Sequence, residues 1–159
     1  FRTTIYISDR QEKEQYNKEI LLRYIALLEY ENDAKKDVSD FLDDINYKII
    51  YEDEKVCEEI RNKFIKVFDF INLAWNDKAF KKDQKGKFLE SDFEAIAIGL
   101  SKNIDDYIDD REDDIEYVKK KIGSLYSEMF YTENAGSGSN AKTRINKLIP
   151  DAIAYFKKD

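Results

Sequence analysis

The chain has 159 residues, of which 42% are hydrophobic, and it carries a net charge of −7. This length fits one domain with a sizeable core, whereas the negative charge argues against independent binding to a nucleic-acid backbone, which needs a basic surface. The chain contains no histidine, which excludes histidine acid–base catalysis, the serine and cysteine triads, His-Asn-His nuclease chemistry and histidine-ligated zinc within these residues.

Helices account best for this composition, because 5 glycines and 1 proline leave little material for many tight turns. Apolar side chains recur every three or four residues along most of the chain, which is the helical period. We therefore predict an all-α fold for residues 1–159, a single helical bundle of about six helices. A short extended segment, rich in β-branched residues, is predicted before the first helix, at residues 1–9.

The first two predicted helices lie in the N-terminal third of the chain. The first runs from about Glu12 to Glu31, where large apolar residues follow helical spacing. The second begins at a cap on Asp37 or Ser39, since either side chain can accept a hydrogen bond from the first turn. Its second half, residues 45–51, is also compatible with a strand, so both interpretations stay open.

The clearest helical pattern, the third in the chain, is a stripe of large apolar residues from Val56 to Trp75. Cys57 lies on this stripe, and we predict that it is buried. A polar loop is predicted next, over residues 76–87.

Two features bear on where the protein resides. Cys57 is the only cysteine and has no internal disulfide partner, which favours a reducing compartment and a cytoplasmic protein. No apolar run approaches the roughly 18 residues of a membrane span.

The chain begins at Phe1 rather than at methionine, so we expect it to be a fragment of a longer protein.

Three further helices are predicted in the C-terminal half. Ser91-Asp92-Phe93-Glu94 has the pattern of a capping box. In such a box the Ser91 side chain accepts a hydrogen bond from the Glu94 N–H, and the Glu94 side chain accepts one from the Ser91 N–H. The helix that it begins is short and apolar, so we expect it to be the most buried. The fifth helix follows a stripe over residues 115–129, and the sixth follows residues 145–156. Pro150 falls inside that last helix and should kink it, or otherwise cost about 3 kcal/mol.

A loop rich in glycine and serine precedes the sixth helix. Its sequence, Gly136-Ser-Gly-Ser-Asn-Ala-Lys-Thr143, resembles a phosphate-binding P-loop, but Ala141 replaces the second glycine and a helix precedes the loop. Two other interpretations are a flexible turn capped by Ser139 or Asn140, and a generic anion site at the helix N-terminus. The candidate residues for the anion site are Gly138, Ser139, Asn140, Lys142 and Arg144.

Six aspartates at a spacing of four form two acidic rows. The rows are Asp105, Asp109 and Asp113, and Asp106, Asp110 and Asp114. In a continuous helix each row would stack like charges, so either the helix breaks near residues 107–110 or the face is held acidic for a basic partner or a cation. A solvated face is the third interpretation. The EF-hand glycine is missing, and we predict no metal site.

Three stretches of the chain carry a resemblance to a known family. The first is Ser8-Asp9-Arg10 with the helix Glu19-Ile-Leu-Leu-Arg23-Tyr-Ile-Ala-Leu. The second is Lys87-Phe-Leu-Glu-Ser-Asp-Phe-Glu-Ala-Ile-Ala-Ile-Gly-Leu100, and the third is Gly136-Ser-Gly-Ser-Asn-Ala-Lys-Thr-Arg144. In this order they are similar to the helical region of GmrSD-type proteins, whose N-terminal domain is ParB/sulfiredoxin-like. The resemblance spans most of the chain.

The resemblance implies a role in prokaryotic defence against foreign DNA, especially modification-dependent restriction. The N-terminal domain of such proteins carries an Asp-Gly-Gln-Gln-Arg motif linked to nucleotide use, and many add a C-terminal His-Asn-His nuclease domain. This chain contains neither motif. The resemblance therefore implies a helical part without catalytic residues or cofactor, in contact with an N-terminal domain outside these residues. Arg10, Glu19 and Arg23 fit the pattern of the first helix and are the candidates for that contact.

Two function hypotheses follow, and a third is weaker. The leading hypothesis is a non-catalytic accessory domain that packs against or regulates a nucleotide-using or nuclease domain. The alternative is a free-standing interaction protein that holds a basic protein partner through its acidic face. The third is an enzyme that uses the carboxylates of residues 105–114, which is disfavoured because nothing separates the pKa values of acids in solvent.

Overall fold

The computed structural model describes residues 4–5, 7–30, 37–81, 86–108, 111–135 and 140–158. Within these residues the predicted all-α fold is confirmed, and an isolated antiparallel bridge joins Lys81 and Phe88. The same residues form eight continuous helical segments, two of which consist of two α-helices joined by a π-helical turn. The first five helices are α1 (Asp9–Lys13), α2 (Tyr16–Glu29), α3 (Val38–Ile49), α4 (Glu54–Trp75) and α5 (Glu90–Phe93). The others are α6 (Gly99–Ser101), α7 (Glu112–Ser124), α8 (Met129–Asn134), α9 (Ala141–Thr143) and α10 (Ile149–Phe156).

Two π-helical turns join short helices into longer ones. Glu94–Ile98 connects α5 to α6, and Arg144–Leu148 connects α9 to α10. Short 3₁₀ turns at Asn76–Lys78, Ile104–Asp106 and Leu125–Ser127 follow α4, α6 and α7 respectively.

The helix formed by α5, the π turn and α6 lies at the centre of the fold. Every residue from Ser91 to Ser101 is buried, which confirms the prediction that this helix is the most buried. Helices α2, α4 and α10 pack around it. The ring centroids of Tyr24, Phe68 and Phe93, on α2, α4 and α5, lie 6.0–6.5 Å apart, so aromatic contacts tie these three helices together.

The N-terminal part differs from the predicted single helix. Gln15 adopts the left-handed conformation with φ 60°, which ends α1 and lets α2 begin at Tyr16. The alternative of a strand over residues 45–51 is wrong, because α3 extends to Ile49. Asp37 caps α3 by accepting a hydrogen bond from the Ser39 N–H at 3.0 Å. Of the two predicted caps, Asp37 and Ser39, the structure therefore has Asp37. Of the predicted extended segment, residues 1–3 and 6 lie outside the described residues.

The prediction that Cys57 is buried is wrong. Asp53 caps α4, which begins at Glu54, and Cys57 in its first turns is exposed. The buried residues of α4 begin only at Val67. The N-terminal turns of α4 therefore extend beyond the core, although their apolar spacing continues the stripe.

Two predictions for the middle of the chain also need correction. The predicted polar loop contains Ala79 and Phe80, which are buried in the main core. The capping box does not form, because α5 begins at Glu90 and the Ser91 hydroxyl contacts Asp92 at 3.4 Å. The Glu94 carboxylate is engaged by two arginines from other helices, and tertiary ion pairing thus overrides a local capping pattern.

The C-terminal helices have other ends than their apolar stripes predict, and one of them contains an irregular turn. α7 ends at Ser124, and Met129, predicted as part of its stripe, begins α8 with 71% of its surface exposed. Pro150 lies in the first turn of α10, and α10 directly follows the π turn Arg144–Leu148. Proline has no backbone N–H and cannot donate a regular helical hydrogen bond, which is the reason for the predicted kink. The wider π turn that precedes α10 accommodates the missing bond within the helix.

Candidate functional site

A partly buried group of four charged side chains connects the central helix to α2 and to the C-terminal helix. We call these residues, Arg23, Glu90, Glu94 and Arg144, the ion cluster. Nε of Arg144 lies 2.6 Å from Oε2 of Glu94, and Nη1 of Arg23 lies 3.0 Å from Oε1 of the same carboxylate. Oε2 of Glu90 lies 2.9 Å from Arg144 and 3.4 Å from Arg23. Each carboxylate therefore contacts both guanidinium groups.

The ion cluster is closed on the side of Glu94 and open on the side of Glu90. The side chain of Glu94 is 0% exposed, those of Arg144 and Arg23 are 9% and 11% exposed, and that of Glu90 is 37% exposed. Burial alone would lower the pKa of Arg23, but Glu90 and Glu94 raise it above its ordinary value. Arg23 therefore carries its positive charge in the ion cluster.

Tyr16 extends the ion cluster toward the surface. Its hydroxyl donates to Oε1 of Glu90 at 2.9 Å. Burial and the neighbouring Glu90 carboxylate raise the pKa of Tyr16 above its ordinary value. The phenol therefore remains a hydrogen-bond donor rather than a base, and it helps to hold Glu90 in place.

Each π turn begins at a member of the ion cluster. Glu94 is the first residue of one turn and Arg144 is the first residue of the other. Single π turns are rare, and they often mark functional sites because they redirect side chains within a helix. The 2.6 Å contact between Glu94 and Arg144 thus joins the two irregular points of the central and C-terminal helices.

A groove of about 530 Å³ lies beside Glu90, between α2 and α3. Leu22, Val38 and Leu42 give it an apolar lining, whereas the rest of the lining is polar, charged or small. These other residues are Lys18, Glu19, Arg23, Ser39, Asp43, Asn46, Glu90 and Ala141. The α2–α3 groove is therefore the surface through which solvent, or a partner, approaches the ion cluster.

The described residues of the predicted anion site, Asn140, Lys142 and Arg144, have separate surroundings. Gly138 and Ser139 lie outside the described residues, and Asn140 caps α9 by accepting from the Thr143 N–H at 2.8 Å. Lys142 is exposed at that helix end. Arg144 is buried among glutamates, so its assignment to an anion site needs correction: its charge already faces two carboxylates.

The predicted contact residues of the first helix separate in the structure. Arg10 is exposed and bonds Glu14, which directly follows the short helix α1. Glu19 bonds Arg23 at 3.2 Å, and both line the α2–α3 groove. Arg23 also belongs to the ion cluster, which the sequence pattern did not indicate. A contact of these residues with another domain stays a prediction.

The acidic rows do not form one helical face. Asp105 and Asp106 are exposed on a 3₁₀ turn, Tyr107 is extended, and Asp113 is exposed on the next helix, so the predicted break occurs. Asp109 and Asp110 lie outside the described residues. The prediction that Asp114 belongs to an acidic face needs correction. Asp114 is buried, it accepts from the Ile108 N–H at 2.8 Å, and it pairs with Lys158.

Replacement of Asp114 by asparagine should destabilise the protein in a pH-dependent way. Burial alone would raise the pKa of Asp114, but Lys158 and the Ile108 amide lower it below its ordinary value. The ionised form therefore stabilises the fold above the unfolded pKa of about 4, and this contribution is lost as the pH falls through the folded pKa. We expect Asp114→Asn to cost about 2 kcal/mol at pH 7 and much less at about pH 2.

Thermal unfolding followed by circular dichroism between neutral and acid pH measures this difference. Asp113→Asn is the matched control, since the Asp113 side chain is 86% exposed and its loss should change the melting temperature little at any pH. A difference between wild type and Asp114→Asn that is constant across the pH range would contradict the assigned role.

Glu90 and Glu94 are the site residues that sequence reasoning missed. They stand four positions apart in a segment that is otherwise mostly apolar. Ionised residues are rarely buried unless they are paired, so a charge in such a segment is itself a signal of a buried partner. Their arginine partners lie in distant parts of the chain, and no local pattern identifies them.

Comparison of the chain with models of protein families, with curated proteins and with solved structures gives no match. In the part of the chain that the structure describes, no helix is both long and apolar enough to cross a membrane. The same described residues contain no group of three or more cysteine, aspartate or glutamate side chains arranged to hold a metal ion.

Proposed function

We propose that this chain is a helical accessory domain of a GmrSD-like, defence-associated protein of the prokaryotic cytoplasm. In this role it packs against, or regulates, a domain that uses a nucleotide or cuts modified DNA. The catalytic groups belong to that other domain, and the helical chain contributes a docking surface.

The observation that carries the proposal is the meeting, at the ion cluster, of all three stretches that resemble the family. Arg23 belongs to the first stretch, Glu90 and Glu94 to the second, and Arg144 to the third. Glu94 bonds the two arginines across sequence separations of 71 and 50 residues. Chance similarity in three short segments gives no reason for their charged residues to touch, so these contacts support the resemblance.

The energetics of the ion cluster favour a structural rather than a catalytic role for it. A buried charge is costly unless it is paired, and a buried ion pair often adds little net stability relative to apolar residues of similar size. In some proteins such polar groups instead specify one arrangement of the helices. Both carboxylates of the ion cluster are already engaged by guanidinium groups. The cluster therefore suits the task of fixing α2 and the C-terminal helix against the central helix.

The α2–α3 groove offers the docking surface for the other domain. It combines an apolar lining with charged rims, which is the mixed character of interfaces between domains of one chain. Glu19, one of the predicted contact residues, lines it with half of its side chain exposed. A partner segment that covers Leu22 and Leu42 would also cover Glu90.

The test compares the 159-residue chain with the product of the intact gene that encodes it. We expect nucleotide hydrolysis and cleavage of modified DNA by the intact product and neither activity by the chain alone. In the intact product, Ser39→Trp should fill the α2–α3 groove and lower activity by about tenfold or more, the effect of about 1.4 kcal/mol.

Asp40→Trp is the control for this substitution. Asp40 is the next residue on α3 and is also exposed, but it does not line the α2–α3 groove. Activity of the isolated chain, or an intact product without either activity, would overturn the proposed function. Equal activity of Ser39→Trp and Asp40→Trp would instead remove the groove as the docking surface.

A further inference from the structure

We propose that a second pocket, formed where the end of α4 meets the end of α7, binds a small aromatic anion. The pocket has a volume of about 290 Å³ and is lined by Trp75, Lys78, Lys81, Gly123 and Tyr126, among others. We call it the Trp75 pocket. The proposal does not depend on the proposed function, because the ion cluster and the α2–α3 groove share no residue with this pocket.

The apolar part of the Trp75 pocket is rigidly held. Its lining includes Ala79 and Ile122, which are 0% and 2% exposed and belong to the main core. The indole N–H of Trp75 donates to the Lys119 carbonyl at 2.9 Å, and this bond anchors the ring against α7. The Tyr126 hydroxyl donates to Oδ2 of the buried Asp92 at 2.6 Å. Two fixed aromatic rings in one concave lining favour a planar ligand.

The charge of the Trp75 pocket is opposite to that of the protein. The charged residues of its described lining are Lys78 and Lys81, on a chain whose net charge is −7. Lys81 contacts Asp77 at 2.9 Å, whereas Lys78 is exposed, so we assign the contact with an anionic ligand to Lys78. An ammonium group beside an aromatic surface matches a ring that carries a carboxylate or a phosphate.

Gly123 keeps the Trp75 pocket open. A Cβ atom at this position would lie 3.3 Å from Cζ2 of Trp75, so any larger side chain would project into the space beside the indole. Glycine within a helix costs about 1 kcal/mol relative to alanine. The volume of the pocket is close to the lower end of the range for small-molecule sites, which limits the ligand to about one ring and its anionic group.

Trp75 is the single tryptophan of the chain, so its indole N–H gives one assigned NMR signal that reports on the pocket. The probes are benzoate and phenyl phosphate, with benzamide as a neutral ring and acetate and inorganic phosphate as anions without a ring. We expect a saturable shift of the indole signal with at least one aromatic anion, with a Kd of about 1 mM or lower. The tighter of the two identifies the anionic group as carboxylate or phosphate.

Three variants locate the binding. Gly123→Leu should abolish the shift, and Lys78→Glu should weaken binding by about tenfold or more, which corresponds to about 1.4 kcal/mol. Lys55→Glu is the matched control, since it makes the same charge change at the exposed opposite end of α4 and should alter Kd less than about twofold. If Gly123→Leu does not fold, the exposed Lys78 variant still decides the question. No saturable shift with either aromatic anion, an equal shift with benzamide, or equal effects of the two lysine variants would overturn the proposal.

Discussion

Replacement of Glu94 by glutamine should lower the free energy of unfolding by about 3–5 kcal/mol, because it removes one partner of a buried ion network. The Glu94 side chain is 0% exposed and contacts Arg144 at 2.6 Å and Arg23 at 3.0 Å. Glutamine preserves the shape but leaves two buried guanidinium groups with Glu90 as their main counter-charge. A loss of this size is a large part of the ~5–15 kcal/mol that stabilises a typical domain.

Chemical denaturation with urea measures the loss, and two variants of neighbouring residues calibrate it. Glu19→Gln removes a carboxylate that also bonds Arg23 but is 50% exposed, so it should cost less than about 1 kcal/mol. Glu90→Gln, at 37% exposure, should fall between the two. An effect of Glu94→Gln no larger than that of Glu19→Gln would mean that the ion cluster does not hold the helices together.

A double replacement separates the cost of an unpaired charge from the value of the network. Glu94→Leu combined with Arg144→Met removes the closest ion pair of the ion cluster and substitutes apolar groups of similar size. Buried ion pairs replaced in this way often lose little stability. We therefore expect the double variant to be less destabilised than the sum of its single variants, with a coupling energy in the range of about 0.5–3 kcal/mol.

The helices with long apolar stripes could be predicted from the sequence, and their ends could not. Periodicity identified α4 and the buried helix at residues 90–101, because burial of one face imposes the helical spacing. It did not reveal that Cys57 and Met129 continue a stripe beyond the core. The break at Gln15 was also invisible, since a left-handed glutamine has no characteristic sequence pattern.

The candidate site was predictable only in fragments. Arg23 and Arg144 were both singled out, but for two different sites, whereas the structure brings them to the same carboxylates. Glu94 was assigned to a capping box because Ser91 stands three residues before it. A local pattern indicates which hydrogen bonds a side chain can form with neighbours in the sequence. Once the chain folds, Glu94 forms stronger ion pairs with arginines from distant helices and no longer caps its own helix.

Replacement of Gly99 by alanine should destabilise the protein by about 1–3 kcal/mol, although alanine is the better helix former. A Cβ atom at Gly99 would lie 2.6 Å from Cδ2 of Phe156 and 2.9 Å from the Ala152 carbonyl oxygen. Phe156 is fully buried, and the Ala152 contact is with backbone, so neither can move without separating α6 from α10. The overpacking should exceed the gain of about 1 kcal/mol in helix propensity.

Gly123→Ala is the matched control for this substitution. Gly123 is also helical, but it is exposed, and its added Cβ would meet only the edge of the Trp75 ring at 3.3 Å. We expect Gly123→Ala to leave the melting temperature unchanged or to raise it, whereas Gly99→Ala lowers it. Since the two variants make the same chemical change in helices, a melting temperature lowered only by Gly99→Ala would isolate the close approach of α6 and α10 as the cause. Equal effects would instead indicate that helix propensity dominates at both positions, and that the central and C-terminal helices are not held in close contact at Gly99.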